Sequence, residues 1–394
     1  MNQKKNIRQN NKIQYILFTG IILILLAMVL PVSRADTAGL PTRGNPGMAY
    51  DSESDIIVVF GGWNNTDTPY SSTWIFDYNS DTYTKRTPSP TPRRRAEPGI
   101  IYDSLRDMIV LFGGRENFTD AGDLGDSWTY DYNTDTWTRL FPVSSPSARR
   151  AMSMSYDSES DRIILFGGQS GVSVEVYYNE TWVGNPGSNT WQKMSPVLAP
   201  PARMSYGMAY DSESDRTILF GGYSGSIFFN DTWAYDYNTN TWEELTNPTH
   251  PSPRGAHTMT YDSESDRIVL FGGSRLSVTF DDTWIYDYNT NSWVEQNPSV
   301  SPIQRSRHGA AYDSESDRVI IYGGTTGGFN SQSHIFDGKT WAYDVNSDTW
   351  TQIDQGPPPG PGGVPGYSIV LLIGSLSIIV VILSKRIKKM AKSE

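Results

Sequence analysis

The stretch Tyr261-Asp-Ser-Glu-Ser-Asp-Arg-Ile-Val-Leu-Phe-Gly-Gly273 decides how this chain folds, because close copies of it recur along the sequence. The Gly pairs that end the copies stand at Gly61-Gly62, Gly113-Gly114, Gly167-Gly168, Gly221-Gly222, Gly272-Gly273 and Gly323-Gly324, spaced by 52, 54, 54, 51 and 51 residues. A period of that size marks a solenoid or a propeller. Upstream, each block opens on an arginine seven residues before the tyrosine, so blocks begin near residues 43, 95, 149, 203, 254 and 305. Downstream, after a segment of varying length, comes Asp282-Thr-Trp-Ile-Tyr-Asp-Tyr-Asn289 or a variant, then a second aromatic nine residues after the first Trp. The two aromatic columns are Trp74, Trp128, Trp182, Trp233, Trp284, Trp341 and Tyr83, Trp137, Trp191, Trp242, Trp293, Trp350. They absorb eleven of the twelve tryptophans and leave Trp63 over.

Each block reads as a four-stranded antiparallel sheet. Strand A runs from the arginine to the tyrosine, and Asp-Ser-Glu-Ser-Asp forms a hairpin turn through side-chain-to-backbone bonds. Strand B is β-branched and almost wholly apolar, the pattern of a strand buried on both faces. The Gly pair ends it where the backbone turns sharply or packs closely. Strand C carries the first Trp, Asp-Tyr-Asn-Thr makes the second turn, and strand D carries the second aromatic. One such sheet cannot bury both faces alone, whereas six arranged radially can, with the aromatic columns filling the wedges between them. Because the repeat starts at strand A and ends at strand D, each blade comes from one contiguous block, and the ring closes by packing of the first blade on the last.

The Gly pair after an apolar strand, followed by Tyr and Trp on the outer strands, resembles the kelch family over about 310 of the 394 residues. The resemblance implies an all-β, six-bladed kelch-type β-propeller over residues 36–355. Two blocks depart from the pattern: Val183-Gly-Asn-Pro-Gly187 replaces the usual Tyr-Asp-Tyr-Asn, and Leu105-Arg106 stands in another first turn.

The ends carry different signals. Basic residues precede an apolar run from Tyr15 to Leu30, and Ser33 and Ala35 offer small residues for cleavage, so residues 1–35 read as a signal peptide or an N-terminal anchor. Residues 356–366 are a Pro/Gly stalk. An uncharged apolar run from Tyr367 leads into Lys385-Arg386-Ile387-Lys388-Lys389, which predicts a transmembrane helix over 367–384 and a cytoplasmic basic tail over 385–394. The expected location is thus a cell membrane, single-pass, with the propeller extracellular. The order Pro365-Gly366-Tyr367, span, basic tail resembles the C-terminal sorting signal of archaeal surface proteins, which have Phe where this chain has Tyr367.

Composition narrows the function classes. With no cysteine, disulfides, Cys-ligated zinc and thiol catalysis are excluded. The net charge of −11 conceals basic ends around a strongly acidic body, which would repel nucleic acid. Antiparallel order puts A–B and C–D turns on one side and B–C loops and D–A connections on the other. The turns barely vary, whereas the interval from second Gly to first Trp runs 12, 14, 14, 11, 11 and 17 residues. Variable loops on a rigid frame are the usual place for recognition. The sequons at Asn64, Asn117, Asn179 and Asn230 all fall in B–C loops and are glycosylation candidates.

Three sets of side chains are candidates for chemistry. The arginine column Arg43, Arg95, Arg149, Arg203, Arg254 and Arg305 could clamp carboxylates or phosphates near the channel mouth, or tie blades together through backbone carbonyls. His257 and His308, each three residues after an arginine, could reach a shared ligand, although no third metal ligand accompanies them. The acidic A–B turns, for example Asp157, Glu159 and Asp161, offer oxygen ligands for calcium without matching an EF-hand. Beyond calcium no cofactor is indicated. Two functions follow: a recognition or scaffold propeller binding a protein or glycan through B–C and D–A loops, and a carbohydrate-active enzyme of sialidase-like or sugar-acid isomerase-like type. Near-identical blades favour binding, since catalysis needs unlike groups at one point. Glu97, with Pro98 beside it, is the single acidic outlier at a strand A start.

Overall fold

The computed structural model describes residues 39–119, 122–328 and 335–353, and every regular element among them is a β-strand. The expected leader, stalk, membrane span and basic tail lie outside the described residues. Blade 1 sets the pattern: strand A (Gly47–Asp51), strand B (Ile56–Phe60), strand C (Thr73–Asp77) and strand D (Thr82–Arg86) pair antiparallel in chain order. Five further four-stranded sheets repeat that order, each drawn from one contiguous block. In blade 4 strands B (Arg216–Ser224) and C (Ile227–Asp236) continue into the loop as a hairpin, with a bulge at Phe220/Gly222.

Burial follows from position in the sheet. Strand B is buried along its whole length in blade 1, which is why it reads Ile-Ile-Val-Val-Phe. The apolar side chains gather into six cores, each shared by two adjacent blades, including one that joins Val59 and Trp74 of blade 1 to Ile320 and Tyr322 of blade 6. The second-aromatic column stitches the wedges. Trp137 Nε1 donates to Thr73 of the preceding blade at 2.9 Å and packs on Phe60 at 5.0 Å between ring centres. Trp242, Trp293 and Trp350 do the same to Thr181, Thr232 and Thr283. Tyr83 completes the series across the closure, its hydroxyl 3.1 Å from Thr340 of blade 6.

The Gly pairs have a steric cause. Both glycines of each pair adopt positive φ, and a Cβ on Gly113 would meet the Arg149 carbonyl oxygen of the next blade at 2.6 Å. The second glycine's N–H instead donates to that carbonyl, Gly114 to Arg149 at 2.9 Å and, across the closure, Gly324 to Arg43 at 2.9 Å. The two departures from the repeat are absorbed locally. In blade 3, Gly184 leaves room for Trp191, whose ring would lie 3.0 Å from an added Cβ. In blade 2, Arg106 crosses to blade 3 and grips Asp161 through two 2.7 Å bonds.

Candidate functional site

The two ends of the propeller axis differ in chemistry, and the turn end is uniform. In each A–B turn the first aspartate is buried and accepts turn N–H groups, as Asp211 does from Glu213 at 3.1 Å and Ser214 at 3.0 Å. The last aspartate sits at positive φ, tolerated by a short polar side chain, and accepts the strand A tyrosine hydroxyl, as Asp215 does from Tyr210 at 2.9 Å. In every blade but the third its other oxygen holds the C–D turn, as Asp215 does by accepting from Asn238 at 2.8 Å, whereas Asp161 takes Arg106 instead. Burial, with Asp215 next, pushes the Tyr210 phenol well above its usual range. Among the described residues no group of three or more His, Asp or Glu is placed to hold a metal ion.

The arginine column lies inside the blades. Each of the six side chains is completely buried. Arg203 is representative: Nε donates to the Pro201 carbonyl at 3.0 Å, one terminal nitrogen to the Gly221 carbonyl at 2.9 Å, and the fork grips Asp231 at 2.6 and 2.7 Å. Asp126 and Asp282 take the forks of Arg95 and Arg254 in the same way, and Glu180 and Asp337 each accept one 2.7 Å bond from Arg149 and Arg305. Burial alone would raise the Glu180 carboxyl, but hydrogen bonds from Lys193, Arg149 and Trp182 outweigh it and bring it down to about 2. In blade 1 Ser72 stands where the acid would be, so Arg43 has no carboxylate and one terminal nitrogen lacks a partner. It rests over the Tyr70 ring at 4.5 Å, and burial lowers its pKa. The guanidinium groups therefore brace the Gly turn of their own blade, while the arginine backbone carbonyls tie that blade to the one before.

His257 and His308 are buried between blades. His257 Nε2 accepts from the Gly207 N–H at 3.0 Å, and His308 Nε2 lies 2.8 Å from the Thr258 hydroxyl. Tyr206 fills the same place one blade earlier, its hydroxyl accepting from the Ser153 N–H at 3.0 Å. Desolvation, with Arg254 second, drives the His257 pKa down to about 3, and desolvation likewise holds His308 well below the usual range. Both rings are thus neutral staples between strand A starts.

The loop end breaks the symmetry. Two residues after each arginine the backbone turns left-handed, at Asn45 (φ 49°), Glu97 (57°), Ala151 (51°), Ser205 (54°), Ala256 (57°) and Arg307 (60°). Each N–H donates to the carbonyl at the same position in the preceding blade, and Asn45 donates to Arg307, so six bonds of 2.6–3.2 Å close a circle round the axis. Left-handed backbone is costly for residues other than glycine and persists where surroundings over-determine it. Here the circle does so. Below it the channel is lined by Met48, Ile100, Met154, Met208, Met259 and Ala310. Above it opens a polar well of about 170 Å³, bordered by Asn45, Glu97, Arg307, Arg115, Arg150 and Gln169 among others.

The well's side chains are partly interlocked. Arg150 is held by Asp123 at 2.6 Å, Gln169 Oε1 at 2.9 Å and the Gly171 carbonyl at 2.9 Å. Glu97 accepts from Asn45 through Oε1 at 3.0 Å, while its Oε2 has no hydrogen bond and lies 3.5 Å from Arg150 Nε. Arg115 stacks on Phe118 at 4.1 Å and donates only from Nε, to the Asn117 carbonyl at 3.2 Å. Desolvation lowers the pKa of Arg115 and of Arg307, and the Glu97 carboxylate opposes the shift in both. Of these residues only Glu97 stood out in the repeat. Asn45 and Arg307 follow from comparing chemistry down the column two residues after each arginine, which reads Asn, Glu, Ala, Ser, Ala and Arg, whereas Arg115, Arg150 and Gln169 stand outside it.

Around the well the loop end is apolar. Of sixteen exposed large apolar side chains, only Leu105 and Val294 lie outside the B–C loops and D–A connections. Val174, Ile227, Leu276, Val278 and Ile335 are each more than half exposed. The Asn64 and Asn117 side chains accept hydrogen bonds from Thr66 and Thr119 within their sequons, whereas Thr181 and Thr232 of the other two sequons are buried.

A sequence-family profile for the Attractin/LZTR1 β-propeller matches residues 109–378. The chain is similar to an F-box/kelch-repeat protein of Arabidopsis thaliana, 26% identical over 282 residues that make 66% of this chain and 56% of that one. Mei4-dependent protein 6 of Schizosaccharomyces pombe is 23% identical over 319 residues, 73% of this chain and 45% of that one. The flagellar outer-arm dynein alpha chain of Chlamydomonas reinhardtii is 28% identical over 234 residues, 55% of this chain and 5% of that one. The chain therefore spans between 5% and 56% of the length of these relatives.

Proposed function

The chain belongs to the Attractin/LZTR1 β-propeller family, and from that premise we propose that it is a recognition or scaffold propeller working at the outer face of a membrane and binding its partner through the B–C and D–A loops. The fold is one suited to binding or scaffolding proteins. The observation that carries the reading is the segregation of exposed apolar side chains to the loop end. Soluble surfaces scatter such residues singly, and a concentration of them marks an interaction site. The turn end, by contrast, spends its aspartates on its own hydrogen bonds. A protein partner suits the apolar rim; a glycan partner is the other occupant of the same face. The uncharged run from Tyr367 followed by five basic residues supports a single-pass tether with a cytoplasmic tail.

The test is a protein array and a glycan array probed with the full chain and two variants. One combines Val174→Asp, Ile227→Asp and Val278→Asp; the other combines Glu53→Gln, Glu159→Gln and Glu213→Gln. Binding lost only in the first supports the reading, and binding lost only in the second overturns it. Extraction of cell membranes at alkaline pH tests the tether: the chain stays with the membrane, and release into the supernatant contradicts the span.

A further inference from the structure

We propose that the polar well takes a carboxylate bearing a neighbouring hydroxyl, as in a uronic acid residue or a free hydroxy acid; this rests on the loop-end reading above and names its small-ligand chemistry. Buried polar groups are almost always paired, and each exception calls for an explanation. Two exceptions border this one cavity. Gln169 is almost completely buried; its Oε1 is spent on Arg150, and its Nε2 has no acceptor. Glu97 Oε2 accepts no hydrogen bond, its nearest cation being Arg150 Nε at an ion-pair distance of 3.5 Å. Arg115, also buried, adds a guanidinium whose terminal nitrogens meet no acceptor among the described residues.

The inventory of these atoms selects the ligand. Arg115 and Gln169 present donors, and a guanidinium fork matches a carboxylate through paired N–H···O bonds. Glu97 presents an ionised acceptor and calls for an O–H or N–H from the same ligand. A bare carboxylate would satisfy the first pair and leave Glu97 Oε2 without a hydrogen bond; a neutral sugar would satisfy Glu97 and leave the Arg115 fork without a carboxylate to pair with. A hydroxy-carboxylate answers both. Arg150 is not part of the contact, since its nitrogens are already engaged by Asp123, Gln169 Oε1, the Gly171 carbonyl and Glu97. Asn45, Glu97 and Arg307 border both the well and the methionine-lined channel below it, and the space of about 170 Å³ is well beyond the ~10–15 Å³ that one water needs.

The experiment uses the purified full chain at fixed ionic strength, with saturation-transfer NMR and titration calorimetry. The probes are D-glucuronate, D-lactate, D-glucose, acetate and N-acetyl-aspartate amide. Glucuronate or lactate is expected to bind at least tenfold more tightly than glucose and acetate; glucuronate ahead of lactate identifies a sugar source, and the reverse a free hydroxy acid. Gln169→Glu keeps the bond to Arg150 while replacing the donor with a negative charge, and is expected to weaken glucuronate at least tenfold. Arg115→Lys keeps the charge without the fork and is expected to weaken it severalfold. Thermal melting confirms that each variant is folded, and either variant alone suffices. Absence of glucuronate and lactate binding, unchanged affinity in the folded variants, or preference for the aspartate amide overturns the assignment. Loss of array binding in the Val174, Ile227 and Val278 variant with no glucuronate binding would overturn this inference alone and leave the loop-end reading standing.

Discussion

The turn end and the loop end of this propeller are built from the same repeat and have opposite properties. At the turn end every blade repeats the tyrosine-to-aspartate contact, Tyr210 to Asp215 being one copy, and all but blade 3 add the asparagine contact of Asn238 to Asp215. At the loop end the circle of backbone bonds is just as regular, but the side chains it carries are Asn45, Glu97, Ala151, Ser205, Ala256 and Arg307. The difference teaches that the frame here is held by backbone and by fully buried side chains. Side chains at the loop mouth are thereby released from structural duty. Stability and recognition should then respond to separate sets of substitutions.

The largest expected effect falls on the frame. Arg203→Met removes a buried cation and leaves Asp231 and the Gly221 carbonyl without their donor, for a loss of about 3–5 kcal/mol in urea unfolding. Arg43→Met, in the one blade without the acid, should cost about 1–2 kcal/mol because only neutral hydrogen bonds are lost. Equal costs at the two sites would show that the ion pair is not what secures the blade.

Acid should expose the staples next. His257 ionises near pH 6.5 when unfolded and at about 3 when folded. The neutral ring's contribution is therefore complete above pH ~6.5 and is lost as the pH falls toward 3, at up to about 1.4 kcal/mol per pH unit. His257→Tyr copies the arrangement at Tyr206, removes the titration, and should flatten the fall in unfolding free energy over that window. An unchanged slope would assign the acid sensitivity to other groups.

Smaller effects separate the two ends. Asp215→Asn retains an acceptor for Tyr210 and loses the one for Asn238, so its thermal melt should report about 1 kcal/mol of destabilisation. Ala151→Gly relieves a left-handed alanine and should stabilise by about 0.5–1 kcal/mol, with no change in binding. Destabilisation by Ala151→Gly would mean that the circle tolerates its backbone without strain.

Much of this fold was legible in the residues. Gly pairs, β-branched strands and two aromatic columns announce six similar sheets, and the turn aspartates do what Asp and Ser do in hairpins. The radial role of the arginines was less legible. Sequence spacing put them near the channel mouth, whereas the structure buries them against the Gly turns, because the partners 18 residues on and in the B–C segment meet them only after strands A, B and C pair. The histidines were legible as a pair but not as staples, since their contacts depend on Gly207 and Thr258 of neighbouring strands. The well was hidden for a further reason. Arg115 and Gln169 lie just past the Gly pairs, in segments whose varying length blurs their equivalence.

The most direct test of the separation is hydrogen–deuterium exchange of the full chain with and without a partner found on the arrays. The account predicts slowed exchange in the B–C segments around Val174, Ile227 and Val278, with the A–B turns around Asp51, Asp157 and Asp211 unchanged. Protection confined to those turns, with the loop end unaffected, would contradict it.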